Sequence, residues 1–148
     1  MIQFKPVVIT DIDSIVFMMQ EFYAIDNYPI DVDVSKALWR AFISNENLGK
    51  SWLIALDDEI VGYVILTFIF SFEYQGRIAF LDELFVSKKY RGKGIGSKVL
   101  AFILAESKKL SLKLIYLEIE NHNENAQKLY IASGFELHNR KLMARKIN

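Results

Sequence analysis

The sequence predicts an α+β fold with a mixed, mostly antiparallel central sheet, one β-α-β crossover and flanking helices. Three observations lead there. Apolar runs with β-branched and aromatic residues come in pairs joined by short polar turns, as in Ser51–Leu56 and Ile60–Phe70 across Asp57-Asp58-Glu59; that is the pattern of antiparallel hairpins. Apolar residues at helical spacing fill the segments before and after those runs. Between residues 78 and 119 an apolar strand, an amphipathic helix and a second strand follow one another, an order that calls for a parallel pair and a right-handed crossover.

At 148 residues, with 52% hydrophobic and 14% aromatic content, the chain has the material for one core. A single domain spanning residues 1–148 is expected. Net charge is zero and the pI is near 6.7, so no global field draws the chain to nucleic acid or to an anionic membrane. The chain has no cysteine, which excludes disulfides, Cys-based zinc sites and a thiol acyl-enzyme. Met1–Thr10 lacks a basic start, a long apolar core and a small-residue cleavage site, so a cytoplasmic location is expected.

The elements follow in order. Ile2–Val8 forms a first strand, with Pro6 at a tolerated edge position. Thr10 or Asp11 caps a helix whose Ile12, Ile15, Val16, Met19, Phe22 and Tyr23 recur at helical spacing and which ends near Asn27-Tyr28-Pro29. The next loop is acidic and aromatic, and Asp31 or Asp33 caps the helix bearing Leu38, Trp39, Phe42 and Ile43. The long apolar run 60–72 falls short of the roughly 18 to 20 residues of a membrane helix and contains Gly62, Thr67 and Ser71, so it reads as a buried strand. Ile78–Val86 returns as the central strand. Ile95, Val99, Phe102 and Ile103 form the inward stripe of a helix that ends at Lys108 and Lys109, cations suited to its negative dipole end. Leu112–Ile119 is a further strand. Asn123 caps a short helix that stops at Gly134, and a hairpin of Phe135–His138 and Lys141–Ile147 closes the chain.

The most informative stretch joins the central strand to the helix after it. Two adjacent carboxylates, Asp82 and Glu83, precede a basic turn, Lys88-Lys89-Tyr90-Arg91-Gly92-Lys93-Gly94-Ile95-Gly96-Ser97, that opens onto the helix. A helix N-terminus offers unpaired N–H groups and a positive dipole end to phosphate. A dinucleotide fingerprint or a P-loop counted from Gly92 would need glycine at Ser97, so both fail. A glycine-rich turn without a ligand is the plain alternative, although three glycines in five residues exceed what a turn needs.

Arg91-x-x-Gly94-x-Gly96 matches the Q/R-x-x-G-x-G/A pyrophosphate pattern of the GNAT superfamily of acyl-CoA-dependent N-acyltransferases, which the chain resembles. Residues 81–97 are especially similar to the spermidine/spermine acetyltransferase branch. Asn123-x-x-Ala126-x-x-x-Tyr130-x-x-x-Gly134-Phe135 matches the second signature of the family, and the resemblance covers nearly the whole chain. It implies that Arg91, Gly92, Lys93, Gly94, Ile95, Gly96 and Ser97 hold the CoA pyrophosphate. It also implies that backbone groups of Leu84, Phe85 and Val86 pair with the pantetheine arm, that Asn123 and Ala126 lie along that arm, and that Tyr130 meets the thioester sulfur. The loop with Tyr23 and Asp26 would overhang the acceptor.

Direct acyl transfer needs a neutral amine, a stabilised oxyanion and a protonated thiol leaving group. An aliphatic ammonium, with a pKa near 10, must lose a proton, and a carboxylate raised by partial burial can take it. Neighbours on a regular strand point to opposite faces, so only one of Asp82 and Glu83 is expected to serve the acceptor directly. Asp82 is the favoured base or ammonium anchor and Glu83 the second candidate, which a lysine or a backbone N–H would otherwise satisfy. Glu118 and Glu120 add negative charge nearby or are simply solvated. A strand N–H near Leu84 or Phe85 polarises the thioester carbonyl. Tyr130 protonates the departing thiolate or, on the plain reading, packs in the core.

His122 and His138 form no ligand motif, so no metal is expected. Lys88, Lys89, Arg91 and Lys93 lack interleaved stacking aromatics, so CoA phosphates explain them better than nucleic acid. The expected activity is acetyl-CoA-dependent N-acetyl transfer to a small, cationic amine, with no membrane partner and with a homodimer left open. Two rivals stay open: acetylation of a protein lysine or N-terminus, and a non-catalytic acyl-CoA-binding module.

Overall fold

Five strands form one sheet in the order β1 (Ile2–Pro6), β2 (Gly49–Leu56), β3 (Glu59–Ser71), β4 (Gly76–Val86), β5 (Ile115–Tyr116). The computed structural model describes residues 1–148, which divide into two units, Met1–Glu118 and Ile119–Asn148. β1 to β4 are antiparallel neighbours, and β5 runs parallel to β4 after the crossover helix. This is the mixed, mostly antiparallel α+β architecture expected. Asp57 and Asp58, with φ of 49° and 68°, make the two-residue turn between β2 and β3, a geometry whose twist suits a tight hairpin.

Helices cover both faces of the sheet in the first unit. α1 (Ile12–Ile25) and α2 (Val32–Ile43) bury Ile12, Ile15, Val16, Met19 and Trp39 against Leu53, Tyr63, Ile65 and Phe85. Full burial of such side chains stabilises by roughly 1.5–3 kcal/mol each. Asp31, rather than Asp33, caps α2 by accepting the Val34 N–H at 3.0 Å. On the opposite face α3 (Ile95–Lys109) buries Ile95, Val99, Leu100 and Ile103, while Phe102 stacks on Phe4 with ring centres 4.0 Å apart and meets Trp52 edge-on at 5.2 Å.

Two expectations change. β5 is two residues long instead of spanning Leu112–Ile119, because its ladder with β4 ends at the Phe80–Tyr116 pair, just before β4 bulges at Asp82. A bulge bends and twists its strand. β4 is therefore next to the sheet edge, and its β5-side backbone beyond Phe80 has no strand ladder.

In the second unit α4 (Glu124–Ala132) is capped by Asn123, whose Oδ1 accepts the Ala126 N–H at 3.1 Å. Gly134, at φ 96°, ends it: the Gly134 and Phe135 N–H groups bond back to the Ile131 and Tyr130 carbonyls, which satisfies the last turn in a Schellman arrangement. The closing hairpin is not formed, and residues 136–148 are exposed and carry no strand. A lone hairpin is marginal without a buried face, and Leu137, Leu142, Met143 and Ile147 gain none here.

Candidate active site

β4 carries its carboxylates at a break in register. Glu83 lies opposite Ile65 and Leu81 opposite Leu66, so Asp82 is the extra residue of a bulge. Strict alternation does not run through a bulge. The expectation that Asp82 and Glu83 face opposite sides of the sheet rests on a regular alternation that this bulge interrupts, and the charge of Asp82 helps to raise Glu83, Tyr23 and Tyr63.

Glu83 sits between two phenols. Tyr23, in the last turn of α1, donates to Oε2 at 2.7 Å, and Tyr63, wholly buried on β3, donates to Oε1 at 2.7 Å. Burial raises the Glu83 carboxyl; the two phenol hydrogen bonds pull it down and the Asp82 charge pushes it up, for a net rise. Tyr23 and Tyr63 are both raised far above the ordinary phenol range, first by burial, then by the hydrogen bond to Glu83 and by its charge. They remain neutral donors. Phe22 packs its ring 6.3 Å from Tyr63 and 5.5 Å from Phe85, which closes the apolar side of the cluster.

Asp82 is solvent-exposed as a residue, and desolvation around its carboxyl, followed by the charge of Glu118, raises it. A raised, accessible carboxylate is closer in proton affinity to an amine than an ordinary aspartate is. Tyr63 was not singled out from the sequence. Within the apolar run 60–72 it reads as one more strand residue; its hydroxyl, which needs a buried partner, was the available signal.

The glycine turn follows β4 directly. After a single 3-10 turn at Lys88–Tyr90, Gly92 and Gly94 adopt φ of 77° and 78°, and α3 begins at Ile95. These two glycines are required by the backbone path itself. Gly96 has no positive φ and lies in the first turn of α3, where glycine is about 1 kcal/mol less favourable than alanine. Gly94, the N-cap, has no side chain to accept the first N–H groups, and the first turn of α3 holds no acidic residue. The α2 and α4 starts differ, because Asp31 and Asn123 fill that role.

A Cβ placed on Gly92 or Gly94 meets nothing within 4 Å, so the turn borders open space. Arg91 donates its Nε–H to the Val86 carbonyl at 2.7 Å and lies 5.6 Å over the Phe85 ring. Its two outer nitrogens are left for another acceptor. The Lys89 and Lys93 ammonium groups flank the Tyr90 ring at 5.3 and 5.6 Å. Uncapped helix N–H groups, an arginine fork and exposed lysines beside open space fit a pyrophosphate.

The other candidate residues fall as follows. Leu84, Phe85 and Val86 pair with Val64, Tyr63 and Gly62 of β3, and Phe85 is buried. Asp26 is the C-cap residue of α1, three residues after Tyr23. In the second unit, Asn123 and Ala126 bond to each other at the start of α4, and Tyr130 packs its ring edge-on against Phe135 at 5.7 Å. Burial raises the Tyr130 phenol. No helix is long and apolar enough to cross a membrane.

The model of the acetyltransferase (GNAT) family matches residues 16–135. A thialysine N-epsilon-acetyltransferase of Bos taurus is 32% identical over 75 residues, 51% of this chain and 44% of that protein. A spermine/spermidine N(1)-acetyltransferase of Bacillus subtilis strain 168 is 39% identical over 62 residues, 41% of this chain and 40% of the relative. The chain thus matches less than half the length of each of these two relatives. Among solved structures, the integron cassette protein HFX_CASS3 from the mobile metagenome of Cole Harbour Salt Marsh superposes with a TM-score of 0.88 at 31% identity, over 99% of this chain and 91% of that one.

Proposed function

Because the chain belongs to the acetyltransferase (GNAT) family, we propose that it moves an acetyl group from acetyl-CoA directly to a primary amine of a small, cationic molecule. One observation carries the choice of acceptor. Asp82 and Glu83 stand side by side at the bulge, and the charge of Glu118 is felt at Asp82. Three neighbouring carboxylates favour a molecule with more than one positive charge and disfavour an acidic one. The likeness to relatives named for spermine, spermidine and thialysine supports the same class.

Bound acetyl-CoA supplies the activated acyl group. Arg91 and the α3 N-terminus, from Gly92 to Ser97, receive its pyrophosphate, and the open β4 edge at Leu84–Val86 receives the pantetheine arm. Asp82 takes a proton from the acceptor ammonium, directly or through water, and passes it to solvent. The freed amine forms the C–N bond as the C–S bond breaks. A β4 N–H near Leu84 or Phe85 polarises the thioester carbonyl. Tyr130, in the role that the family resemblance gives it, donates its proton to the leaving thiolate and recovers one as the amide nitrogen sheds its second proton. A phenol is protonated at neutral pH, and burial raises this one further.

The test is thiol release from acetyl-CoA across polyamines, aminoglycosides, amino acids and peptides. Turnover on polyamines ahead of neutral and acidic amines is expected. Turnover on peptides alone would instead make the chain a protein acetyltransferase, and CoA binding without turnover on any amine would make it a binding module.

A further inference from the structure

The geometry points to Tyr23, Glu83 and Tyr63 as a positioning unit that fastens the loop at residues 26–31 to the β4 bulge, with Glu83 serving as the anchor of that loop and not as a proton acceptor. This inference deepens the proposed function and rests on it for the identity of the reaction.

Each carboxylate oxygen of Glu83 receives one phenol hydrogen bond at 2.7 Å, and the two phenols come from different elements, α1 and β3. Tyr63 cannot move far, because it is fully buried and its ring touches Phe22 and Phe85. Glu83 is thereby locked in orientation. Each oxygen has thus given one of its acceptor sites to a phenol, and the two hydrogen bonds favour the charged carboxylate and oppose proton uptake there. Asp82, one residue away, carries no such clamp. The groups that face Glu83 are Tyr23 from α1, Tyr63 from β3 and Asp82 from β4 itself.

Tyr23 is held at two points. Its hydroxyl reaches Glu83, and its carbonyl accepts the Tyr28 N–H at 3.0 Å, which folds the start of the loop back onto α1. Asn27 takes a left-handed φ of 58° in that turn. At the other end, Asp31 is fixed by capping α2. The segment between these fixed ends is short, so the hydroxyl of Tyr23 ties the α1 end of the acidic loop to the bulge. A loop placed in this way selects the acceptor by contact and leaves the proton transfer to Asp82.

Steady-state kinetics on Tyr23→Phe, Tyr63→Phe and Glu83→Gln, with acetyl-CoA and a diamine, test the assignment. Expected is a rise in the acceptor KM of roughly tenfold, the loss of about one hydrogen bond, with kcat within about threefold and the acid limb of the pH profile in place. A Glu83→Gln enzyme that loses roughly 10²-fold or more in kcat at unchanged KM, or that loses its acid limb, would overturn it. Amide hydrogen exchange on the same variants reads the anchor without any turnover: faster exchange over residues 26–31 is expected, and unchanged exchange would refute the anchor. Were the wild-type protein inactive on every amine, the functional reading would fail while exchange still decided this one.

Discussion

Arg91 fastens the glycine turn to the end of β4 through a 2.7 Å hydrogen bond from its Nε–H to the Val86 carbonyl. One edge of the guanidinium is thus spent on the fold, and its two outer nitrogens are left for an anion. That division of labour explains why an arginine stands first in a turn whose remaining requirements are backbone requirements. A lysine has a single point charge and could not serve both partners in this planar way.

CoA should therefore raise the melting temperature in a manner that depends on Arg91 and Gly94. A ligand at about 100 times its dissociation constant adds roughly 2.7 kcal/mol, and NAD or ATP should add less. Arg91→Ala should lose most of the CoA shift. Gly94→Val should fold, because the space beside it is open, at a strain of about 1–3 kcal/mol for a non-glycine residue at a φ of 78°, and should no longer respond to CoA. Melts with and without each nucleotide check this, and an undiminished shift in Gly94→Val would leave the turn a purely structural one.

Two other glycines should separate steric from conformational need. A Cβ on Gly62 would fall 2.0 Å from the Phe85 carbonyl oxygen, whereas one on Gly92 meets nothing. Gly62→Ala should cost about 3 kcal/mol or more, the upper end of overpacking, because the clash is with backbone. Gly92→Ala should cost about 1–2 kcal/mol, that of an αL alanine. Denaturant unfolding of both variants measures the difference, and equal losses would contradict it.

Asp82→Asn should be more stable than the wild type at pH 7. The Asp82 carboxyl is raised in the folded protein by desolvation and by Glu118, so the folded state holds a proton there more tightly than the unfolded state does. Its contribution to stability is full below the unfolded pKa and is lost as pH rises through the folded value. The asparagine avoids that loss, so its advantage should fade as pH falls through the carboxylate range. Melting temperatures from pH 3 to pH 8 follow this, and a variant destabilised at pH 7 would contradict it.

Tyr130→Phe should separate chemistry from packing. The ring contact with Phe135 and the backbone bonds that end α4 involve no hydroxyl, so stability and CoA affinity should change little. Turnover should fall by roughly 10²- to 10⁴-fold. The deficit should narrow with an acyl donor whose leaving group is better than the CoA thiolate. A lower melting temperature with preserved turnover would make Tyr130 a packing residue.

Much of this was legible in the residues. The helix starts at Asp31 and Asn123, the stop at Gly134, the Asp57-Asp58 turn and the β-α-β order follow from local chemistry, and local chemistry is what a sequence records directly. The phase of β4 was not legible. A bulge at Asp82 depends on how β3 pairs with it, a non-local fact, and the alternation rule does not carry across such a bulge. Tyr63 escaped notice likewise, because nothing local in an apolar run marks which hydroxyl will meet a carboxylate 20 residues later. The closing hairpin of Phe135–His138 and Lys141–Ile147 has no face to bury, and residues 136–148 form no strand.

The pH dependence of turnover in Asp82→Asn, with acetyl-CoA and a diamine, tests most directly that the bulge carboxylate deprotonates a cationic amine. The account predicts a large loss at pH 7, roughly 10²-fold or more, that shrinks toward pH 10 as the free amine becomes the main species, with CoA binding nearly intact throughout. A loss of the same size at pH 7 and pH 10, or no loss at either, would contradict it.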